Sequence, residues 1–179
     1  DVLQSDFLTQ GPQVPLFEKK VSDYCDSKFG VAVNSASSAL HIACLALGLE
    51  RGDWLWTSAN TFIASSNCAL HCGAQVDFVD IDPATYTMCT SALETKLRAA
   101  KDNGRLPKVI VPVHLCGQSA DMNAIAKLAL VYGVKIIEDA SHSIGATHQG
   151  GPVGNCKYSD ITIFSFHPVK IITTCEGGM

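Results

Sequence analysis

Three polar segments of the sequence, each following an apolar run, contain residue types that could do chemistry. Residues 34–38 (Asn-Ser-Ala-Ser-Ser) open a predicted helix, whose free N-terminal amides favour an anion such as phosphate. Residues 138–142 (Glu-Asp-Ala-Ser-His) offer a carboxylate that could hold a protonated ring nitrogen, a metal ion or only an N-cap amide. Residues 165–170 end in Lys170 among apolar neighbours, which makes that lysine a candidate for Schiff-base chemistry.

Each segment also has an ordinary structural interpretation. The serines of residues 34–38 could simply cap a helix, and most lysines are solvated surface groups. The segment lacks the Gly-x-Gly-x-x-Gly pattern of a dinucleotide site, which argues against NAD.

Together the three segments fit one cofactor. Pyridoxal phosphate needs an anchor for its phosphate, a carboxylate that keeps its ring nitrogen protonated, and a lysine that forms the Schiff base. Asp139 and Lys170 would supply the last two, and Phe62 could provide an aromatic face for the ring. The sequence therefore predicts a pyridoxal-phosphate site.

The elements that must position these residues alternate between strand and helix patterns, which predicts an α/β fold with a parallel sheet covered by helices. In such sheets, ligands bind beyond the carboxyl ends of the strands. The predicted strands are residues 29–33, 54–58, 75–81, 108–114, 134–137 and 161–166. The predicted helices are residues 39–47, 63–71, 91–100 (opened by a Ser91-x-x-Glu94 capping box) and 120–132, and a glycine-rich hairpin or loop covers residues 145–154.

Composition narrows the possible classes of protein. The 179 residues are 47% apolar with a net charge of −4, which fits one globular domain and gives no strong attraction to nucleic acid or an anionic membrane surface. No membrane-spanning or secretory segment is recognisable. Eight cysteines scattered through apolar runs suggest reduced thiols and the cytoplasm, and no second ligand cluster accompanies Cys68-x-x-His71-Cys72, so no metal site is expected.

Several motifs, in order along the chain, resemble the DegT/StrS-type sugar aminotransferases, which belong to the fold-type I pyridoxal-phosphate enzymes. These motifs are residues 79–83 (Val-Asp-Ile-Asp-Pro), 112–118 (Pro-Val-His-Leu-Cys-Gly-Gln), 138–142 and 164–178, and the resemblance extends over nearly the whole chain. It implies a three-layer α/β/α fold with a mostly parallel sheet, the large domain of such a transferase.

The resemblance also implies roles for individual residues. Lys170 would carry the Schiff base and move the proton between substrate and cofactor, Asp139 would pair with the ring nitrogen, and His142 would lie near the 3-oxygen. Phe62 would stack on the ring of the cofactor. The backbone at Ala36 and Ser37, together with the Ser165 hydroxyl, would bind its phosphate.

The implied reaction is a ping-pong transamination. L-Glutamate would leave its amino group on the cofactor as pyridoxamine phosphate, which then aminates a nucleotide-linked keto-6-deoxy sugar. Residues 167–174 look most like members that aminate a 4-keto-6-deoxy hexosamine on the route to pseudaminic-acid-like surface sugars.

Three further interpretations stay open at the level of the sequence. The chain could be a sugar dehydratase of the same family, although dehydratases replace the lysine that Lys170 represents. It could also be a cofactor-binding fragment without turnover, or a plain nucleotide-binding α/β domain.

The length of the chain suggests an incomplete protein. We expect an N-terminal segment over residues 1–28 and a pyridoxal-phosphate-binding large domain over residues 29–179, without the C-terminal small domain of the family. The strand that should return after the lysine loop would be missing and would leave sheet edges unpaired. A homodimer is therefore expected.

Overall fold

A computed structural model describes residues 2–9 and 11–179. Its main sheet contains five parallel strands in the order β2-β1-β3-β4-β7. The strands are β1 (Trp54–Ser58), β2 (Gln75–Val79), β3 (Val109–Val111), β4 (Lys135–Asp139) and β7 (Ile161–Ile163), while β5 (Thr147–His148) and β6 (Gly151–Pro152) form a separate hairpin. The parallel sheet and the hairpin predicted within residues 145–154 are thus both observed.

Helices cover both faces of the sheet, as a parallel sheet requires. They are α1 (Gln13–Cys25), α2 (Ala36–Ala46), α3 (Ala64–His71), α4 (Thr90–Asp102) and α5 (Met122–Tyr132), with short 3₁₀ turns at Val2–Gln4 and Leu115–Gly117. Neighbouring residues of a strand point to opposite faces. Leu55 therefore packs in the core under α2 and α3, whereas Trp56 packs in the core under α4 and α5. This arrangement confirms the three-layer α/β/α prediction.

Most element boundaries differ from the predicted ones by a few residues. The strand predicted at residues 54–58 is observed with those bounds, whereas the one predicted at residues 108–114 is only three residues long. Helix α2 begins three residues earlier than predicted because Ser35 caps it, and the Ser35 Oγ accepts a hydrogen bond of 3.2 Å from the Ser38 amide. Helix α5 ends, as predicted, at Gly133, which adopts the left-handed conformation with φ of 69°.

The prediction of a buried strand at residues 29–33 is wrong. Phe29 is 77% exposed and Val31 is 61% exposed, and of this segment only Val33 forms a bridge, with Gly178. An apolar run becomes a buried strand only where other strands flank it. Here the one partner comes from the far end of the chain.

The predicted capping box at the start of α4 is also wrong. The helix begins at Thr90, Cys89 holds the N-cap position without a side-chain capping bond, and Ser91 lies inside the first turn. Glu94 instead pairs with Arg98, one turn later, at 2.9 Å. The pattern placed the helix correctly and its first residue incorrectly.

Residues 177–179 form an antiparallel segment between Val33 and residues 164–166, which follow β7. The Gly178 amide and carbonyl both pair with Val33 at 2.9 Å, and Met179 exchanges two backbone hydrogen bonds with Phe164. The sequence predicted that the strand returning after the lysine loop would be missing, but residues 177–179 return and pair beside residues 164–166. The segment also joins α1 to the sheet, because Met179 and Phe166 pack in one cluster with Cys25.

Gly178 lies against the backbone at the start of α2. A Cβ atom at this position would be 2.5 Å from the Ala36 nitrogen and would also overlap the Ser35 carbonyl carbon. We expect Gly178→Ala to lower the free energy of unfolding by about 1–3 kcal/mol, because backbone atoms on both sides must move to accommodate the methyl group. Urea unfolding at neutral pH measures the change, and a variant as stable as the wild type would contradict the close packing.

Two negative findings concern the described residues. None of their helices is both long and apolar enough to cross a lipid bilayer, and no group of three or more of their side chains is placed to bind a metal ion. All eight cysteines are free thiols.

Candidate active site

A cavity of about 380 Å³ opens where the carboxyl end of β4, the N-terminus of α2 and the loop after β7 meet. This volume lies within the usual range for small-molecule sites. All seven residues that the sequence predicted line it: Ala36, Ser37, Phe62, Asp139, His142, Ser165 and Lys170. The structure thus brings together residues that lie up to 134 positions apart (170 − 36) in the sequence.

One wall of the cavity is the N-terminus of α2. The amides of the first turn have no acceptor within a helix, and they carry the positive end of its dipole. Ser35 uses its hydroxyl to cap Ser38, and Ala36 and Ser37, whose amides donate to no described backbone acceptor, both line the cavity. Ser165 contributes a hydroxyl from the segment after β7, and its Oγ has only a long contact of 3.5 Å with the His167 amide. This wall can hold an anion.

Asp139, the last residue of β4, supplies a carboxylate that is only 4% exposed. Its Oδ2 accepts a hydrogen bond of 2.6 Å from the Ser65 hydroxyl. Its Oδ1 accepts two from Ser141, at 2.6 Å from the hydroxyl and 3.1 Å from the amide. All of these partners are donors, which is the arrangement that an ionised carboxylate requires. A further donor from the cavity would complete this set.

Lys170 lies in a loop that side-chain and backbone hydrogen bonds hold in place. The Lys170 amide donates to the His167 carbonyl at 2.9 Å. The Thr173 hydroxyl and the Thr174 amide both donate to the Phe166 carbonyl, at 2.9 and 3.0 Å. The loop therefore returns to the end of the strand, and Lys170 lines the cavity.

His142 reaches the cavity from the turn after β4. Its Nδ1 accepts a hydrogen bond of 3.3 Å from the Cys116 amide, so in the neutral ring Nε2 carries the proton. Burial, and then the positive charge of Lys170, lower the pKa of His142, while Asp139 opposes this shift. A neutral imidazole with a free N–H is therefore favoured at the cavity.

Phe62 stands in the connection between β1 and α3, where its side chain is 71% exposed. An aromatic ring on the wall of a cavity that also contains an anion site and a carboxylate can stack on a planar, charged ligand. Phe62 thus lines the cavity, and its stacking on the cofactor ring stays a prediction.

A buried pair that the sequence did not predict lies at the border of the cavity, which His114 also lines. His114 Nε2 is 2.7 Å from Glu138 Oε2, and the two side chains are 0% and 7% exposed. The Ala120 amide donates to His114 Nδ1, so Nε2 carries the proton and donates it to the Glu138 carboxylate. The Ser159 hydroxyl donates to the second oxygen of Glu138 at 2.5 Å. Since Glu138 and Asp139 are adjacent in β4, this network fixes the strand end that carries Asp139.

Sequence inspection also missed Thr61, Ser65 and Ser141. Thr61 and Ser141 line the cavity. Ser65 contacts Asp139, although the two residues are 74 positions apart in the sequence. Serine and threonine are common at helix starts for local reasons, so no sequence signal distinguished these three. Only the Ser141 contact, two residues from Asp139, is local enough to be predicted from spacing.

The lowered pKa of His142 predicts a pH dependence of stability. An unfolded chain with an ordinary histidine pKa of 6.5 binds a proton more readily than the folded protein. The contribution of His142 to the free energy of unfolding is therefore complete above pH 6.5. It is lost as the pH falls through the lowered pKa of His142 in the folded state. We expect His142→Asn to lose less stability than the wild type between about pH 7 and pH 5.

Urea unfolding at the two pH values measures this difference. His71→Gln, which replaces an exposed histidine at the end of α3, is the matched control and should keep the wild-type pH dependence. Equal losses of stability in His142→Asn and the wild type would contradict the role of burial at this site.

The fold is that of the pyridoxal-phosphate-dependent transferases, with the candidate site at the carboxyl ends of the parallel strands. The chain belongs to the DegT/DnrJ/EryC1/StrS aminotransferase family, whose sequence profile matches residues 1–179. This result confirms the family that the motifs suggested.

Individual relatives agree with this assignment. A UDP-4-amino-4,6-dideoxy-N-acetyl-beta-L-altrosamine transaminase of Campylobacter jejuni is 40% identical over 176 residues, which are 98% of this chain and 45% of the relative. The crystal structure of a DegT DnrJ EryC1 StrS aminotransferase from Brucella abortus superposes with a TM-score of 0.93 at 33% identity, covering 99% of this chain and 48% of that one. A putative sugar aminotransferase from Streptococcus pneumoniae in its PLP form gives a TM-score of 0.89 at 32% identity, covering 99% of this chain and 47% of that one. The chain thus spans less than half the length of these relatives.

Pyridoxal phosphate is the cofactor of this family of sugar aminotransferases. The residues present fit it. The helix N-terminus suits a phosphate, Asp139 has hydrogen-bonding capacity for one more donor, and the amine of Lys170 faces the same cavity.

Proposed function

We propose that this chain forms the cofactor-binding part of a pyridoxal-phosphate-dependent aminotransferase that aminates a nucleotide-linked keto-6-deoxy sugar. The observation that carries the proposal is the meeting of an amine, a buried carboxylate and a helix N-terminus at one cavity. Each of these groups alone has a structural explanation, but together they match the three parts of one coenzyme.

The residues of the chain divide the work as follows. Bound pyridoxal phosphate supplies the electron sink for breaking a bond at the amino-bearing carbon. Lys170 would hold the cofactor covalently, and its amine, once released, would move the proton at that carbon. Asp139 holds the proton on the ring nitrogen, and His142 donates its free N–H to the 3-oxygen.

Four more residues orient the coenzyme. The Ala36 and Ser37 amides and the Ser165 hydroxyl would hold the phosphate in the cavity that Lys170 also lines. Phe62 covers one face of the ring and excludes water from it. These contacts make the bound coenzyme rigid, so that proton transfer occurs between fixed atoms.

The proposed substrates are L-glutamate as amino donor and a nucleotide-linked 4-keto-6-deoxy hexosamine as acceptor. The similarity to the Campylobacter jejuni transaminase, which acts on a UDP-linked dideoxy amino sugar, supports this sugar class. A GDP-perosamine synthase of Caulobacter vibrioides is also 40% identical, so the choice of nucleotide is open to test with both UDP- and GDP-sugars. We further propose a homodimer that works in the cytoplasm, where eight free thiols would remain reduced.

Borohydride reduction tests the cofactor assignment. The protein is incubated with pyridoxal phosphate and reduced, and the peptides are analysed by mass spectrometry. We expect a single reduced adduct on Lys170, and prior addition of L-glutamate should prevent it while 2-oxoglutarate appears. A folded protein that gives no adduct, or an adduct on different lysines alone, would refute the proposed site.

A further inference from the structure

A chain of hydroxyl groups reaches Asp139 from the start of α3. Thr61 Oγ1 lies 2.7 Å from Ser65 Oγ, and Ser65 Oγ lies 2.6 Å from Asp139 Oδ2. Ser65 is 0% exposed and Asp139 is 4% exposed, so solvent has little access to the contact between them. Thr61, by contrast, lines the cavity.

The direction of these hydrogen bonds follows from the chemistry of the groups. An ionised carboxylate only accepts, so Ser65 must give its single hydroxyl proton to Asp139. The Ser65 oxygen then accepts from Thr61, which leaves the Thr61 oxygen with lone pairs for a donor from the cavity. Asp139 is therefore at the end of a polarised chain of donors.

Ser65 and Ser141 hold the two oxygens of Asp139 in different ways. Ser141 is two residues away on the same turn, so its bond moves with the strand end. Ser65 belongs to another element, and its amide donates to the Phe62 carbonyl at 3.1 Å. One hydrogen bond thus links the carboxylate to the segment that carries the aromatic wall of the cavity.

We propose that Ser65 is a positioning residue that acts through Asp139. Its hydroxyl fixes the rotation of the carboxylate relative to Phe62 and leaves lone pairs of Asp139 free for the ring nitrogen of the cofactor. A donor on a carboxylate stabilises its negative charge, so Ser65 also weakens the pull of Asp139 on the proton of that ring nitrogen. The effect on the ring proton rests on the proposed function, whereas the orientation of the carboxylate does not.

The orientation of the carboxylate can be tested in the cofactor-free protein. Aspartate labelled with ¹³C at the carboxyl carbon gives one NMR signal per residue, and that of Asp139 is identified by its loss in Asp139→Asn. We expect Ser65→Ala to move this signal and Ser65→Thr to restore it. Ser66→Ala is the matched control, because the Ser66 hydroxyl donates to the Ile63 carbonyl instead, at 2.8 Å.

Thr61→Val provides a second variant that leaves the buried residue in place. It removes the proton donated to Ser65, and we expect it to move the Asp139 signal in the same direction by a smaller amount. Unchanged signals of the remaining aspartates show that each variant is folded. An Asp139 signal that Ser65→Ala leaves unmoved would overturn the proposal.

The effect on the cofactor is measured by its absorption spectrum as a function of pH. Loss of the Ser65 donor makes the surroundings of the ring more negative, which favours protonated forms of the bound chromophore. We expect Ser65→Ala to raise the midpoint of the spectral transition by about one pH unit, with Ser65→Thr and Ser66→Ala close to the wild type. An unchanged or lowered midpoint would contradict the electrostatic part.

The two measurements separate this inference from the proposed function. If the wild-type protein takes up no pyridoxal phosphate, the proposed function fails, and the carboxyl signal alone decides whether Ser65 positions Asp139. If the wild type binds the cofactor, and Ser65→Ala changes neither the Asp139 carboxyl signal nor the midpoint of the spectral transition, only the inference about Ser65 fails.

Discussion

Replacement of Lys170 by alanine is expected to abolish covalent attachment of pyridoxal phosphate and to slow the half-reaction with L-glutamate by about a thousandfold. Lys170 is the lysine that lines the cavity containing the α2 N-terminus and the Asp139 carboxylate. Among the described residues, no second lysine lines this cavity, so no other amine is placed to take the proton from the substrate carbon. Stopped-flow absorbance after mixing the loaded protein with glutamate measures the rate.

The matched control for this variant is Lys127→Ala, which removes an exposed lysine of α5 that does not line the cavity. It should keep both the adduct and the wild-type rate. The phosphate, ring and carboxylate contacts remain in Lys170→Ala, so that variant should still bind the cofactor without a covalent bond. A reduced adduct elsewhere together with an unchanged rate would assign the chemistry to a different lysine.

Replacement of Glu138 by alanine is expected to lower the free energy of unfolding by about 3 kcal/mol or more. The change leaves the Nε2–H of His114 in the core without an acceptor, and His114 is 0% exposed. It also removes the acceptor of the Ser159 hydroxyl. Urea unfolding at neutral pH gives the loss directly.

Glu94→Ala is the matched control, since it also removes a glutamate paired with a basic residue. The Glu94–Arg98 pair is exposed on α4, and such pairs contribute less than about 0.5 kcal/mol. If Glu138→Ala were as stable as Glu94→Ala, the buried network behind Asp139 would not stabilise the fold. His114→Phe in the Glu138→Leu background should recover part of the loss, because it replaces both polar partners together.

The sequence was sufficient for the layers of the fold and for seven of the residues that line the cavity. Chemistry-bearing residues at successive strand ends, such as Asp139 and Lys170, are recognisable because a parallel sheet places its carboxyl ends together. Residues 29–33 show where local patterns fail. Their apolar character predicted a strand, but whether Val33 pairs at all depends on Gly178, at the far end of the chain.

The hydroxyl contacts of the site were unpredictable for a related reason. Ser65 has the local environment of an ordinary helix start, and its contact with Asp139 depends on how α3 packs against β4. The His114–Glu138 pair likewise joins the segment after β3 to β4, between residues that are 24 positions apart in the sequence. Periodicity reports which face of an element is buried, but not which polar atoms meet across it.

The close approach of Gly178 to Ser35 and Ala36 has a consequence for the order of events during synthesis. The start of α2 emerges from the ribosome early, while the residue that packs against its first turn emerges more than 140 residues later (178 − 36 = 142). At about 5–20 residues per second, several seconds separate the two. We therefore expect the anion-binding wall to reach its final packing late, after the Lys170 loop and Gly178 have been synthesised.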